Sequence, residues 1–359
     1  MKIVTGETMQ GLDRRAIDEF GVSGLTLMEN AGRRCAEAIM ERFGNDPEQR
    51  AVIVAGKGNN GGDGFVIARH LKKKGWQVVT FVLVSQEEIK GDARANLDLL
   101  EDMPVLFCPE QGGLDRYAST LNEATVIVDA MLGTGLKSDL EGIYAEAVGI
   151  VNNSGKPVVA VDIPSGIDSA TGRVHGCAIK ADLTVTFALA KCGHILYPGA
   201  AHTGRLKIVE IGIPAEVVEA AEGFEYLDAA AVKPLLRRRS RDAHKGDAGH
   251  GLIIAGSMGK SGAAAMAANS AVRAGAGLVT LAAPATLNGI LEVKTTEAMT
   301  LPLPDGGSGR LGDEAADTIV DALAGKGVVA LGPGVSRHAE TARLVRRLAA
   351  AIPLPLVMD

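Results

Sequence analysis

The feature that most constrains the fold is a set of short, continuous apolar runs separated by helical patterns. The runs AVIVA (51–55), ATVIVDA (124–130) and PVVAVDIP (157–164) contain almost no polar alternation, and strands of this type are buried on both faces of a sheet. DLTVTFALAK and RLKIVEIGIP are predicted as further strands, whereas the first fifty residues have a helical pattern. The sequence therefore predicts an α/β domain built on a parallel sheet.

A second alternation of strands and helices follows a weakly patterned stretch, FEYLDAAAVKPLLRRRSRDAHKGD. Its strand-like runs are HGLIIAG, LVTLAAP, VVALGPG and PLPLVMD. We therefore predict two domains, residues 1–223 and 224–359. RRRSR (237–241), in the connecting stretch, is interpreted as a solvated charge run. Because the last strand ends at Asp359, where a parallel sheet places its chemistry, we expect the sequence to be a fragment.

Charge and composition disfavour several classes of protein. The 37 Lys and Arg residues against 43 Asp and Glu residues give a net charge of −6, which disfavours a general nucleic-acid surface. No apolar run reaches the roughly 18 residues of a membrane span, and MKIVTGETMQ lacks a signal-peptide pattern. The four cysteines are scattered, so no structural zinc is expected. We expect a cytoplasmic protein with no membrane or nucleic-acid partner.

The glycine-rich stretch GKGNNGGDG (56–64) lies between a predicted strand and a predicted helix. Its glycines fit G-x-G-x-x-G, a pattern typical of dinucleotide loops. However, the next strand ends in Ser85 and the first acid is Glu87, so the acid that holds a ribose is missing. Asp63 would also repel a pyrophosphate. The local alternative is a tight turn in which Asp63 caps the helix that follows.

Three predicted strand ends carry polar side chains. Asn60 follows the first strand, Asp129 lies at the end of another, and Asp162 and Ser165 follow a third. Strand ends of one parallel sheet converge, so we expect these side chains to meet in one crevice. Their oxygens suit a hard cation, either a weakly charged ion or Mg²⁺. The alternative for each residue alone is helix capping.

The motifs LMENAG (27–32), GKGNNGGDG, VDAMLGTG and VDIPSGID, in this order, resemble the NAD(P)H-hydrate epimerase family, which inverts C6 of hydrated nicotinamide rings. The resemblance covers roughly residues 1–220 and implies a Rossmann-like three-layer α/β/α domain. It implies potassium on Asn60, Asp129 and Ser165. The implied substrate contacts for NAD(P)H hydrate are Asn59, Asn60, Gly61, Gly62, Asp63, Gly133, Thr134, Gly135, Leu136, Lys137, Ser138, Asp139 and Asp162.

Asp162 is the predicted catalytic residue. Inverting a carbon that bears both a hydroxyl and a nitrogen requires bonds to break and re-form through a flattened intermediate, and a positioned carboxylate can move the proton. Asp162 combines a strand end with a substrate contact implied by the resemblance.

The second half is similar to the ADP- or ATP-dependent (S)-NAD(P)H-hydrate dehydratase, of ribokinase-like fold. The matching stretches are HKGDAGHGLIIAGS, AVRAGAGLVTLAAP, LGPGVS and PLVMD. The resemblance implies ADP or ATP as co-substrate, with Mg²⁺, and contacts at Lys245 and in the Gly332–Gly334 loop, including Gly334. The family's later motifs, which carry its catalytic acid, do not occur before Asp359. The family also implies a homo-oligomer.

Two alternatives belong to other classes of function. The epimerase-like fold also occurs in non-catalytic interaction scaffolds, and the second half also fits a small-molecule kinase. Converging polar strand ends argue against a scaffold, because a scaffold does not need them.

Overall fold

The computed structural model describes residues 1–44, 46–100, 102–236 and 238–359. Arg237, the first residue of the RRRSR run, lies outside the described residues. The chain divides into two compact units, Met1–Leu235 and Leu236–Asp359. None of the helices in the described ranges is long and apolar enough to cross a membrane.

The first unit contains ten strands and ten α-helices in the described residues. The strands are β1 (Lys2–Val4), β2 (Arg50–Ala55), β3 (Gln77–Val82), β4 (Val105–Phe107), β5 (Val126–Ala130), β6 (Val158–Val161), β7 (Leu183–Phe187), β8 (Ala190–Lys191), β9 (Arg205–Val209) and β10 (Phe224–Glu225). The helices are α1 (Gly6–Asp18), α2 (Gly24–Phe43), α3 (Asn59–Lys73), α4 (Gly91–Asp98), α5 (Ala118–Asn122), α6 (Gly142–Asn153), α7 (Cys192–Ile195), α8 (Ala200–Thr203), α9 (Ala215–Glu219) and α10 (Ala229–Val232).

Seven of these strands form one parallel sheet in the order β4-β3-β2-β5-β6-β7-β9. Neighbouring residues of β2 face opposite cores. Ile53 packs in the core that contains Phe65 of α3, and Val54 in the core that contains Val148 of α6. Helices therefore cover both faces, which confirms the buried parallel sheet predicted from the continuous apolar runs and the three-layer α/β/α architecture that the resemblance implies.

A second, three-stranded sheet has the order β10-β1-β8. The prediction that the first fifty residues are helical is wrong at Lys2–Val4, because this short strand is stabilised by distant partners. It pairs antiparallel with β10 and parallel with β8. The first unit therefore continues past residue 223, since β10 belongs to it.

The second unit follows the alternation predicted for it. Its strands are β11 (His250–Ile254), β12 (Leu278–Pro284), β13 (Met299–Leu303), β14 (Val328–Leu331) and β15 (Leu356–Met358). Its α-helices are α11 (Ser261–Ala274), α12 (Asn288–Lys294), α13 (Ala316–Asp321) and α14 (Ala339–Ala351). The sheet is parallel, in the order β13-β12-β11-β14-β15. Cores on both faces again give three layers.

Candidate functional site

The strand order of the larger sheet in the first unit reverses between β2 and β5. In open α/β sheets, ligands bind at such a point, beyond the carboxyl ends of the strands. The glycine-rich stretch follows β2, and the loop from Met131 to Asp139 follows β5. A Cβ added to Gly133 would lie 3.6 Å from the Asn60 side chain, so the two predicted binding segments meet here.

Helix α3 begins within the glycine-rich stretch, at Asn59. The prediction that Asp63 caps this helix is therefore wrong, because Asp63 already lies inside it. The glycines permit close packing in the first turns. A Cβ on Gly61 would lie 2.0 Å from the Gly56 carbonyl oxygen, and one on Gly64 would lie 2.7 Å from the Ala130 Cβ. The absence of side chains at these glycines therefore lets the start of α3 lie close to the turn after β2 and to β5.

Asp162 follows β6 directly and has the left-handed backbone angle φ of +62°. Such strain in a residue other than glycine is concentrated at functional sites. Its Oδ1 accepts hydrogen bonds from Lys191 Nζ at 2.5 Å and from Thr186 Oγ1 at 3.0 Å. Among the described residues, no side chain or backbone group donates to Oδ2. One carboxylate oxygen is therefore fixed, whereas the other keeps its hydrogen-bonding capacity unused within the described residues.

Lys191 is fully buried, and its ammonium group also donates to Thr186 Oγ1 and to the Phe187 carbonyl. Burial alone would raise the pKa of Asp162, but the adjacent Lys191 charge outweighs it and lowers this pKa. Asp162 is therefore an ionised carboxylate at neutral pH. His194 donates from Nε2 to the Asp162 carbonyl oxygen at 2.9 Å, and burial followed by the Lys191 charge lowers its pKa to about 4, so the ring is neutral.

A cavity of about 140 Å³ lies next to this pair, and we call it the ring-sized cavity. Phe187, whose backbone contacts both Asp162 and Lys191, forms part of its wall. Its polar lining is Asp13, Asn59, Asp63 and Asp92, and its apolar lining includes Ile17, Leu27, Met28, Ala31 and Ile211. Apolar walls with a few convergent polar groups are typical of a small-molecule site.

Two carboxyl groups of this cavity have raised pKa values. Burial raises the pKa of Asp13 to about 6, with Lys191 lowering it and Asp162 raising it. Burial also raises the pKa of Asp63 well above its ordinary value, and the charges of Asp162 and Asp13 add to this effect. The site thus contains an ionised carboxylate beside two carboxyl groups with raised pKa values, and carboxyl groups whose pKa values are pushed apart are typical of acid–base catalysis.

Asp129 and Ser165 meet in the interior, as the sequence predicts. The fully buried Asp129 accepts from Ser165 Oγ at 2.6 Å and from Ser165 N at 2.8 Å. Burial raises the pKa of Asp129 to about 6, although the bonds from Ser165 oppose this. Ser165 Oγ also accepts from Leu132 N at 2.9 Å, which connects it to the loop that contacts Asn60. The Asn60 amide nitrogen is buried without a hydrogen-bond partner in the described part of the chain.

The predicted substrate loop from Gly133 to Asp139 extends from this interior to the surface. Thr134 Oγ1 accepts from Gln10 Nε2 at 3.3 Å, whereas Lys137 and Ser138 are exposed. At its far end, the Asp139 carboxylate lies 3.3 Å from His175 Nδ1.

Two family profiles match the chain, one in each compact unit. The profile described as YjeF-related protein N-terminus matches residues 24–193, and the profile described as NAD(P)H-hydrate dehydratase matches residues 251–359. A bifunctional NAD(P)H-hydrate repair enzyme from Moorella thermoacetica is 43% identical over 364 residues, covering 100% of this chain and 68% of its own length. The chain belongs to the family of bifunctional NAD(P)H-hydrate repair enzymes. The resemblance found in its motifs is thereby confirmed.

A second member of the repair-enzyme family, from Salinibacter ruber, is 38% identical over 371 residues, covering 99% of this chain and 68% of its own length. Among solved structures, that of a yeast protein is similar, with a TM-score of 0.53 and 25% identity. This match covers 64% of the present chain and 98% of the yeast chain.

In the dehydratase half of this repair-enzyme chain, the strand order reverses between β11 and β14. The two loops after these strands are joined, because Gly256 N donates to the Pro333 carbonyl at 3.0 Å and Ser257 Oγ donates to the Gly334 carbonyl at 2.7 Å. Gly334 has φ of +74°, and a Cβ added to it would lie 3.2 Å from the Lys260 Cβ, so a side chain would be strained there. The predicted contact at Gly334 therefore lies at the expected ligand position of this sheet.

Neither Lys191 nor Asp13 was predicted from the sequence as a residue of this candidate site. Lys191 lies in β8, a short strand of the second sheet. Its ammonium group bonds Asp162, and burial raises the pKa of Cys192. The available signal was a lysine inside the apolar run FALAKC. Asp13 stands in the buried stripe of α1 formed by Met9, Leu12 and Ala16, where an apolar residue is the usual choice.

Proposed function

We propose that this chain repairs hydrated nicotinamide dinucleotides. The first unit interconverts the (R)- and (S)-hydrates of NAD(P)H at C6. The second unit takes part in dehydration of the (S)-hydrate to NAD(P)H at the expense of ADP or ATP, with Mg²⁺. The observation that carries the epimerase assignment is Asp162, a strained and ionised carboxylate. Its Oδ1 is fixed by Lys191, and none of the residues that the structure describes donates to its Oδ2.

The free oxygen of Asp162 gives a route for inversion. Asp162 accepts the proton of the C6 hydroxyl while the C6–N1 bond opens, which leaves a flat carbonyl carbon at C6. The proton then passes to the ring nitrogen, and its return accompanies ring closure on the other face. Lys191 keeps Asp162 ionised, and the apolar walls of the ring-sized cavity hold the ring.

Asn60, Asp129 and Ser165 are the proposed potassium ligands. The residues fit the ion, because one buried carboxylate, a hydroxyl and an amide without a protein partner offer oxygens with a total charge of −1. Rotation of the Asn60 amide presents its oxygen in place of the nitrogen. A bound potassium ion would offset the buried charge of Asp129.

The substrate contacts are proposed on the same basis. The residues from Asn59 to Asp63 and from Gly133 to Asp139 border the point where the strand order reverses. In the second unit, Gly334 and Lys245 are proposed contacts of the dehydratase half. Cytoplasmic location and assembly as a homo-oligomer remain predictions that rest on the family resemblance.

The test is an assay of the full chain with separated epimers of NADH hydrate. We expect interconversion of the epimers, faster in KCl than in NaCl, and a higher melting temperature in KCl. Asp129→Asn should remove the potassium effect on melting. Recovery of NADH absorbance on addition of ADP or ATP measures the dehydratase step separately. No interconversion by a folded chain in KCl would contradict the epimerase assignment, and equal melting in both salts would contradict the potassium site.

A further inference from the structure

The ring-sized cavity is too small for a whole dinucleotide. Its volume of about 140 Å³ is close to that of engineered cavities that bind a single benzene ring. Its apolar lining comes from α1, α2, Phe187 and Ile211. Under the proposed function, the part of the substrate that fits these walls is the hydrated nicotinamide ring.

Two carboxyl groups in this cavity have no hydrogen-bond or ion-pair partner among the described residues. Asp63 is only 7% exposed and borders the cavity, and no described residue donates a hydrogen bond to its side chain. Asp13 borders the same cavity, and its side chain also has no hydrogen bond or ion pair with any described residue. A buried polar group without a partner is costly, so the arrangement favours a ligand that supplies one.

A ring hydroxyl is the group that these two residues suit. Because burial raises the pKa of Asp63 well above its ordinary value, Asp63 retains a proton near neutral pH. Asp13, with a pKa of about 6, is largely ionised there. Together the two groups therefore offer a donor as well as acceptors. A hydroxyl oxygen accepts the Asp63 proton in a hydrogen bond, and the hydroxyl hydrogen is donated to the Asp13 carboxylate until Asp162 removes it. The C6–H of an intact nicotinamide ring offers neither interaction.

We propose that Asp13, acting with Asp63, recognises the C6 hydroxyl of the hydrated ring and thereby distinguishes the damaged dinucleotide from intact NAD(P)H. This inference rests on the proposed epimerase function and adds its basis of specificity. A site built to bond a substrate hydroxyl rejects an analogue that lacks it, because the buried polar groups of the site are then left unpaired. Asp13 is a specificity-determining residue in this scheme.

The experiment compares equilibrium binding of NADH hydrate and of intact NADH to the full chain by calorimetry. Asp13→Asn should weaken binding of the hydrate by at least about tenfold, the usual value of a hydrogen bond to a charged group. It should leave the Kd of intact NADH within about twofold, since NADH makes no such bond. Asp18→Asn, an exposed residue of the same helix, is the matched control and should change neither value.

The contrast between the two ligands separates recognition of the hydroxyl from other roles of Asp13. Equal weakening of both ligands would overturn the proposal, because it would assign Asp13 to the carboxamide, which both rings carry, or to the fold alone. Unchanged binding of the hydrate would overturn it as well. Asp13→Ser is measured in parallel, so that a folding defect in one variant does not decide the result.

Failure of this inference is distinguishable from failure of the proposed function. If the wild-type chain interconverts the hydrate epimers and Asp13→Asn keeps the preference for hydrate over NADH, the inference fails and the function stands. If the wild-type chain does not interconvert them, but prefers the hydrate through Asp13, the function fails and the inference stands.

Discussion

At the scale of single residues, the site depends on a buried charge pair with unequal partners. Lys191 is fully enclosed and bonds Asp162, Thr186 and the Phe187 carbonyl, whereas Asp162 keeps one oxygen free. Removing one member of a buried pair leaves the other charge without compensation, which costs more than removing both. The stability of the first unit therefore depends on the ionisation of Asp162, the proposed base.

Substitution of this pair should affect activity and stability differently. Asp162→Asn should lower the kcat of epimerisation by at least about 100-fold, the usual contribution of a general base. Lys191→Met should destabilise the first unit by about 3–5 kcal/mol, and adding Asp162→Asn to it should restore part of that loss. Urea unfolding of the two single variants and the double variant measures this coupling.

The pH profile of Lys191→Met gives a further check. Lys191 lowers the pKa of Asp162, so its removal should raise this pKa and move the acidic limb of the rate profile to higher pH. Lys180→Met, at an exposed position, should leave the limb in place. An acidic limb that does not move in Lys191→Met would show that Asp162 is not the group that titrates.

At the scale of elements, the sequence predicted the buried parallel strands and failed where distant contacts decide. β2, β5 and β6 are continuous apolar runs and were correctly predicted. β1 was missed because three residues have no periodicity of their own, and its partners lie about 190 and 220 residues away. The start of α3 was placed too late, because glycines indicate turns and only the packed structure shows that they permit close contact.

The candidate site shows the same difference between residues indicated by local sequence and residues placed by distant contacts. Asp129, Asp162 and Ser165 were found because strand ends are visible in sequence, and their elements converge by topology. Lys191 and Asp13 come from a short strand of the second sheet and from the first helix. Local patterns mark both residues as unusual for their positions, but only tertiary packing brings them to Asp162 and gives them a role.

The start of α3 makes a prediction about glycine. Gly61→Ala would place a Cβ 2.0 Å from the Gly56 carbonyl oxygen, whereas a Cβ on Gly58 has no neighbour within 4 Å. We expect Gly61→Ala to lower the free energy of unfolding by about 1–3 kcal/mol, as overpacking does. Gly58→Ala, the matched control, should cost less than about 1 kcal/mol. Equal stability of the two variants would contradict the close approach of α3 to the β2 turn.

At the scale of the whole molecule, the chain combines two α/β units, each with its own cores and its own strand-order reversal. Family membership assigns the two units to the two halves of a repair enzyme. Because both units have independent cores, each half is expected to keep its structure without covalent connection to the other. Whether the first unit folds when it is separated from the second depends on the residue at which it is cut.

Two truncations test the boundary. Residues 1–235 retain β10, which pairs with β1, and Tyr226, whose N–H donates to the Met1 carbonyl at 2.7 Å. Residues 1–223 lack these contacts and leave the edge of β1 exposed.

We expect residues 1–235 to fold alone with the epimerase activity of the full chain. Residues 1–223 should melt several degrees lower, because a loss of about 1 kcal/mol in stability lowers the melting temperature of a unit of this size by about 2–4 °C. Circular dichroism melting and the epimer assay give the comparison. Equal melting of the two pieces would mean that β10 adds nothing to the first unit and that residue 223 is its true end.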